Sequence, residues 1–210
     1  MDSFFLNLNK PAGVTSRDVV DMVCKAAGTK SVGHAGTLDP LATGVLVCGI
    51  GKATKLVEYV QRMTKTYRAE FTLGQTSDTD DTEGAVTPTA DAVAPPTEEL
   101  ERALAKFRGL VKQTPPAYSA VKVAGRRAYE LARKGKPVDL SPRQVLIHGV
   151  RLHRYEWPTL DVEIQCGSGT YIRSIARDLG MMLRTGGLMS KLVRTAIGAF
   201  KLEEIGRAHV

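Results

Sequence analysis

The stretch TYRAEFTL alternates apolar and polar positions, placing Tyr67, Ala69, Phe71 and Leu73 on one side. That period of two predicts a half-buried strand. FFLNLNK near the start alternates in the same way and is broken by Pro11 and Gly13. Ser16 then reads as a helix N-cap, followed by a stripe of Val19, Val20, Val23 and Ala27 that stops at Gly28. The unbroken apolar run GVLVCGIG predicts a buried strand, and ATKLVEYVQRM a helix. Residues 74–96 are polar, acidic and proline-bearing, which predicts a long loop holding at most a short strand. Thr97, with Glu98 and Glu99 in the first turn, opens the helix EELERALAKF. A basic helix is expected near residues 126–134, and a hairpin of RQVLIHGVRLHRYEW and TLDVEIQC joined near Pro158. GSGTYIRSIARDLGMML reads as a loop entering a helix whose core face is Ile172, Ile175, Ala176 and Leu179. A short helix over Leu188–Arg194 and a strand AIGAF complete the pattern. Hairpins and helices in this order predict an α+β fold: one mixed, largely antiparallel sheet with flanking helices, not a βαβ series.

Composition narrows the class. A chain of 210 residues with 43% hydrophobic and 24% charged content is expected to fold as one domain over residues 1–210 with its own core. No apolar run reaches the roughly 18–20 residues of a membrane span, and MDSFFLNLNK lacks the features of a signal peptide. Cys24, Cys48 and Cys166 are odd in number and far apart, which fits buried thiols in a reducing cytoplasm and argues against a zinc site. The net charge of +7 is unevenly spread. Asp78–Glu101 holds eight acidic residues and no Lys or Arg, leaving 29 basic against 14 acidic residues elsewhere, a balance near +15. Such a surface suits a polyanion such as nucleic acid. It equally suits an ordinary basic enzyme.

Four places could carry chemistry. In SVGHAGTLDPLATG, Asp39 precedes Pro40, which fits a helix N-cap with proline at N1, or a carboxylate offered from a tight turn as nucleophile or general base. No second acid stands nearby for a glycosidase pair, and no lysine follows at P-loop spacing. In GSGTYIRS, Arg173 is either a surface arginine lying along Ile172 or a guanidinium pairing with a carboxylate or phosphate. Tyr67 is either a core tyrosine or a ring that stacks on a base. In YSAVKVAGRRAYELARKGK, Lys122, Arg126, Arg127, Arg133, Lys134 and Lys136 oppose only Glu130, forming a solvated face or a patch that tracks phosphates.

GHAGTLDPLATGVL, KTYRAEFTLGQTSDTDDTEG, QTPPAYSAVKVAGRRAYELAR and GTYIRSIARDLG occur together in that order, with LNKPAGVTS before them and LVRTAIGAF after. In this the chain resembles the TruB family of pseudouridine synthases over nearly its whole length. The resemblance implies the pseudouridine synthase catalytic fold, no cofactor and no metal, and conversion of uridine to pseudouridine at position 55 in the T-arm loop of tRNA. It implies Asp39 as the nucleophile, Arg173 as the arginine that pairs with it, and Tyr67 as a ring against the uracil. Tyr171 and Leu192 would line the pocket, Asp81 would lie near the target nucleotide, and His34 would enter the space left by flipped nucleotides. Lys122, Arg126, Arg127 and Arg133 would meet the RNA backbone. The T stem-loop is the implied partner of a cytoplasmic monomer with no obligate protein partner. Family members usually continue into a C-terminal RNA-binding domain of PUA type; here KLEEIGRAHV follows RTAIGAF, so that domain is expected to be absent. The competing readings are a non-catalytic RNA-binding or RNA-folding module and a guide-RNA-dependent synthase subunit.

Overall fold

A computed structural model of the chain describes residues 3–119, 121–123, 126–128, 131 and 140–205. Along the chain run β1 (Phe4–Lys10), α1 (Ser16–Ala26), β2 (Val32–His34), β3 (Thr43–Ile50), a 3₁₀ turn (Gly51–Leu56), α2 (Val57–Arg62), β4 (Lys65–Leu73), β5 (Gln75–Ser77) and β6 (Val86–Pro88). Then follow α3 (Thr97–Ala105), β7 (Gly109–Gln113), β8 (Lys122–Val123), β9 (Arg126–Arg127), β10 (Arg143–Glu156) and β11 (Thr159–Cys166). α4 (Ile172–Leu183), β12 (Gly187–Ile197) and β13 (Phe200–Lys201) complete the order. The fold is α+β, with a main sheet that is largely antiparallel.

The chain divides into two compact units, residues 1–68 with 191–210, and residues 69–190. The boundaries fall inside β4 and β12.

In the first unit β1 pairs antiparallel with β3 from Phe4↔Ile50 to Lys10↔Gly44, and β2 lies antiparallel on the later part of β3. β12 joins β3 in parallel at Val193↔Thr43 and Arg194↔Gly44. Gly44 is needed there: its φ is +101°, and a Cβ would sit 2.2 Å from the Arg194 carbonyl oxygen. One core cluster holds Ala35, Val45, Val47, Val60 and Ile197, and another holds Val19, Val20, Leu46 and Cys48 beneath α1.

The cap of α1 is Thr15, not the expected Ser16. A capping box needs an acid three residues beyond the cap. Thr15 has Asp18 there, and the two exchange bonds of 2.8 Å and 3.1 Å, whereas Ser16 would face Val19. The hydroxyl of Ser16 is buried and used elsewhere, as described below. The expected helix over ATKLVEYVQRM begins as the 3₁₀ turn and becomes α-helical only at Val57.

In the second unit β10 pairs antiparallel with β11 and with β7, and β4 borders β11. β5 and β6 form a small hairpin within the acidic stretch. The apolar side of β4 and the core face of α4 are buried as expected; Ile175, Ala176 and Leu179 are wholly enclosed. Gly180 admits Gly186 so closely that a Cβ would lie 2.2 Å from its carbonyl carbon. That contact seats the far end of α4.

One other expectation fails and one is met only in part. Leu188–Arg194 is part of strand β12, not a helix. Neighbours on both edges and burial on both faces override the helix-like leucine spacing of this segment. The basic helix expected near residues 126–134 is met in part: Arg126 and Arg127 lie on β9, which pairs with β8 through Lys122↔Arg127 and Val123↔Arg126, whereas Ala128 and Leu131 are helical. Arg133 and the rest of that expected helix, apart from Ala128 and Leu131, lie outside the described residues. No helix among the described residues is long and apolar enough to cross a membrane.

Candidate active site

Asp39 sits half-buried in the loop between β2 and β3, and no helix follows it. The Ala42 amide donates to the Asp39 carbonyl at 3.0 Å, so Asp39-Pro40-Leu41-Ala42 is a β-turn with proline at its favoured second position. The dipeptide therefore builds a turn, not a helix cap.

The loop is gripped by its main chain. Ser16 Oγ donates to the Leu38 carbonyl at 3.1 Å and accepts from the Leu38 amide at 2.8 Å. The wholly buried Lys10 donates from Nζ to the carbonyls of Pro40 (3.2 Å), Pro11 (2.9 Å) and Val14 (2.7 Å). The Gly13 amide also donates to the Pro40 carbonyl, at 2.9 Å. Arg194, 1% exposed, spans both ends of the loop: Nε donates to the Val45 carbonyl at 2.7 Å and Nη2 to that of Gly36 at 3.0 Å. Asp39 thus projects from a glycine-rich segment that is held on both sides of its turn.

His34 is half-buried on β2. Burial lowers its pKa below the ordinary 6.5, the Gly36 backbone pulls the other way, and the Arg194 and Arg17 charges lower it further. The imidazole is therefore neutral at pH 7. Because the unfolded chain takes up this proton more readily, the contribution of His34 to stability is complete above pH 6.5 and is lost as pH falls through the lowered folded value. Titration by NMR is expected to place the His34 midpoint below 6.5, and His34→Gln to flatten the acid side of the stability profile. Tyr67 on β4 is 8% exposed and Leu192 on β12 is 7% exposed, both within the first unit.

The second unit brings Arg173 and Asp81 together. Arg173, in the first turn of α4, is 5% exposed rather than a surface side chain. Its Nη1 lies 3.4 Å from Asp81 Oδ2 and donates to the Thr79 carbonyl at 2.7 Å, while Nη2 donates to the Tyr118 carbonyl at 3.1 Å. Asp81 is 1% exposed and accepts at Oδ1 from the Thr79 hydroxyl (2.6 Å) and the Glu83 amide (3.0 Å). Tyr171, at the cap position of α4, is fixed by Gln113, which accepts from its amide at 2.8 Å and donates to its carbonyl at 3.0 Å. Arg177 and Asp80 form a further pair at 2.7 Å. Lys122, Arg126 and Arg127 lie together on the β8–β9 hairpin.

Sequence reasoning missed Lys10, Ser16, Arg194, Arg177 and Asp80 as parts of these arrangements. The one signal available was a lysine or arginine placed on a strand, as Lys10 at the end of β1 and Arg194 within β12. Cys48 and Cys166 are buried and Cys24 partly so, all as free thiols; burial pushes the Cys48 thiol up to about 11, which leaves it protonated. Among the described residues no group of three or more His, Cys, Asp or Glu could hold a metal ion.

The sequence model described as TruB family pseudouridylate synthase (N terminal domain) matches residues 25–172. Proteins named tRNA pseudouridine synthase B are similar throughout. The one from Mycobacterium sp. (strain KMS) is 47% identical over 206 residues, covering 94% of this chain and 68% of its own length. That from Dehalococcoides mccartyi (strain CBDB1) is 48% identical over 199 residues, covering 94% and 66%. The chain therefore spans about two thirds of these relatives. Among solved structures, a Cbf5-Nop10-Gar1 complex matches with TM-score 0.72 and 28% identity, over 94% of this chain and 49% of that one. An H/ACA RNP bound to a substrate RNA containing 2′-deoxyuridine matches with TM-score 0.69 and 26% identity, over 94% and 48%.

Proposed function

Because this chain belongs to the TruB family of pseudouridylate synthases, we propose that it isomerises uridine to pseudouridine at position 55, in the T-arm loop of tRNA, with Asp39 as nucleophile. As a pseudouridylate synthase it is an isomerase. The observation that carries the assignment is the half-buried carboxylate of Asp39 on a loop whose flanking main chain is fixed by Ser16, Lys10 and Arg194. A nucleophile held so firmly loses little freedom on reaching the bound nucleotide.

A uridine stacked in a folded loop is reached only by unstacking it, at a cost of a few kcal/mol. His34, neutral at pH 7, suits insertion among bases without carrying a charge into them. The carboxylate of Asp39 attacks the flipped uridine at C1′ or at C6, and the N1–C1′ bond breaks. The uracil turns, C5 bonds to C1′, and the proton lost from C5 is balanced by the one gained at N1. Asp39 is released unchanged, so the chemistry calls for neither an external oxidant nor hydrolysis. In this proposal Tyr67 stacks on the uracil and takes the C5 proton, Tyr171 and Leu192 line the pocket, and Asp81 acts near the target nucleotide. Pairing of Arg173 with Asp39, implied by the family resemblance, belongs to the same proposal. Lys122, Arg126, Arg127 and Arg133 are assigned to the RNA backbone.

The test is incubation of unmodified T stem-loop RNA with the protein, followed by carbodiimide-dependent reverse-transcription mapping. One new stop at the T-loop uridine is expected. RNA binding without a stop would favour a non-catalytic module; a stop that requires an added guide RNA would favour a guide-dependent subunit.

A further inference from the structure

We infer that Arg177 and Asp80 form a second clamp, one helical turn along α4 from Arg173 and Asp81, that positions the Asp81–Arg173 pair for the reaction. The inference rests on the function proposed above. Arg173 and Arg177 are four residues apart on one face of α4, and they grip consecutive aspartates of one loop. Arg177 Nη1 donates to Asp80 Oδ2 at 2.7 Å, Nη2 to the Thr114 carbonyl at 2.9 Å, and Nε to Asp178 Oδ1 at 2.9 Å. Ser174 Oγ donates to the same Thr114 carbonyl at 2.9 Å. The first turns of α4 therefore bind two loops at once, the one carrying residues 79–81 and the one following β7.

Asp80 is held where an aspartate would not rest unaided. Its φ is +62°, a left-handed conformation that costs a residue other than glycine free energy, though Asp and Asn tolerate it best. Its carbonyl accepts from the Met189 amide at 3.0 Å, and Asp81 forms a parallel bridge with Met189. Asp80 thus reverses the chain directly before Asp81 enters its enclosed position. The 2.7 Å ion pair and the bond to Met189 supply the hold on that reversal.

The pair is poorly suited to being a mere stabiliser. Burial raises the Asp80 carboxyl above its ordinary range, outweighing the pull of the Arg177 and Arg173 charges and of the Arg177 hydrogen bond, with Asp178 adding to the rise. A buried ion pair is by itself weak evidence for stability, so the inference rests on the geometry that Arg177 and Asp80 fix. Because Asp80 reverses the chain directly before Asp81, replacing it should slow chemistry more than it changes RNA affinity.

Asp80→Asn removes the charge yet tolerates the backbone conformation, and Arg177→Met removes the donors while keeping bulk. Single-turnover formation of pseudouridine in T stem-loop RNA, the Kd for that RNA and the thermal midpoint are measured for both, for the double variant and for Arg177→Lys. Each single variant is expected to lower the single-turnover rate about tenfold with Kd changed less than twofold. The double variant is expected to fall no further than the singles, because one interaction is lost once, and Arg177→Lys to recover part of the rate. Unchanged rates, additive losses, or a rate loss that only follows a fall in thermal midpoint would overturn the clamp while leaving the enzymatic reading intact. A wild-type protein that forms no product would overturn both.

Discussion

Asp39→Asn is expected to bind T stem-loop RNA with unchanged Kd and to form pseudouridine at least about 10⁴ times more slowly than the wild type. Loss of a nucleophile removes a pathway, and it typically costs several orders of magnitude. The main chain around Asp39 is held independently of its side chain. The bonds that fix the loop fall on the main-chain atoms of Gly36, Leu38, Pro40 and Val45, so they survive a change of the Asp39 side chain. Asn also keeps the turn preference of Asp ahead of proline. The fold is expected to survive the change, because Asn keeps the size of Asp and an oxygen that accepts hydrogen bonds. Single-turnover mapping of the product, beside filter binding and thermal unfolding on the same preparation, separates the three quantities. An Asn variant that still forms product at more than a hundredth of the wild-type rate would remove Asp39 from the role of nucleophile.

The contrast between what local pattern reveals and what it hides follows from where each side chain finds its partner. β4 was legible because its side facing the core and its other side differ, so burial alternates residue by residue from Lys65 to Leu73. The core face of α4 was legible for the matching reason at helical spacing. β12 was not, because it lies between β3 and β4 and buries Leu188, Met189, Leu192, Arg194 and Ile197 on both faces, which erases the alternation. Its leucines at 188 and 192 then imitate one side of a helix. Asp39 stood out through the motif around it. The cations that support its loop did not, since lysine and arginine are rarely enclosed and a pattern-based reading assigns them to the surface. Arg194 is enclosed because its acceptors are carbonyls from a segment about 150 residues earlier in the chain, a contact that only the folded sheet creates. The same holds for Arg177 and Asp80, 97 positions apart. For Arg173 the sequence leaves open a surface arginine or a guanidinium paired with a carboxylate or phosphate; within its own unit it lies 3.4 Å from the carboxylate of Asp81.

That pairing sets the second large expectation. Arg173→Met should destabilise the protein by about 3–5 kcal/mol, the cost of breaking a buried ion pair from one side. Asp81 is 1% exposed, and with Arg173 gone the neutralising charge 3.4 Å away is lost while the carboxylate keeps only the Thr79 hydroxyl and the Glu83 amide among the bonds described above. The carbonyls of Thr79 and Tyr118 lose a charged donor at the same time. At roughly 2–4 °C per kcal/mol for a chain of this size, the thermal midpoint should drop by roughly 6–20 °C. Arg173→Lys should lie between, because a single ammonium restores charge but not the fork that reaches two carbonyls and a carboxylate together. Adding Asp81→Asn to Arg173→Met should recover part of the loss, since the enclosed charge then disappears with its partner. Chemical denaturation of the four proteins measures the coupling directly. If the double variant were as unstable as the sum of its single changes, Asp81 would not depend on Arg173 for its burial as a carboxylate. If the coupling is present, pseudouridine formation by Arg173→Lys at a temperature well below its unfolding separates the part that Arg173 plays in holding Asp81 from the part it plays in the reaction.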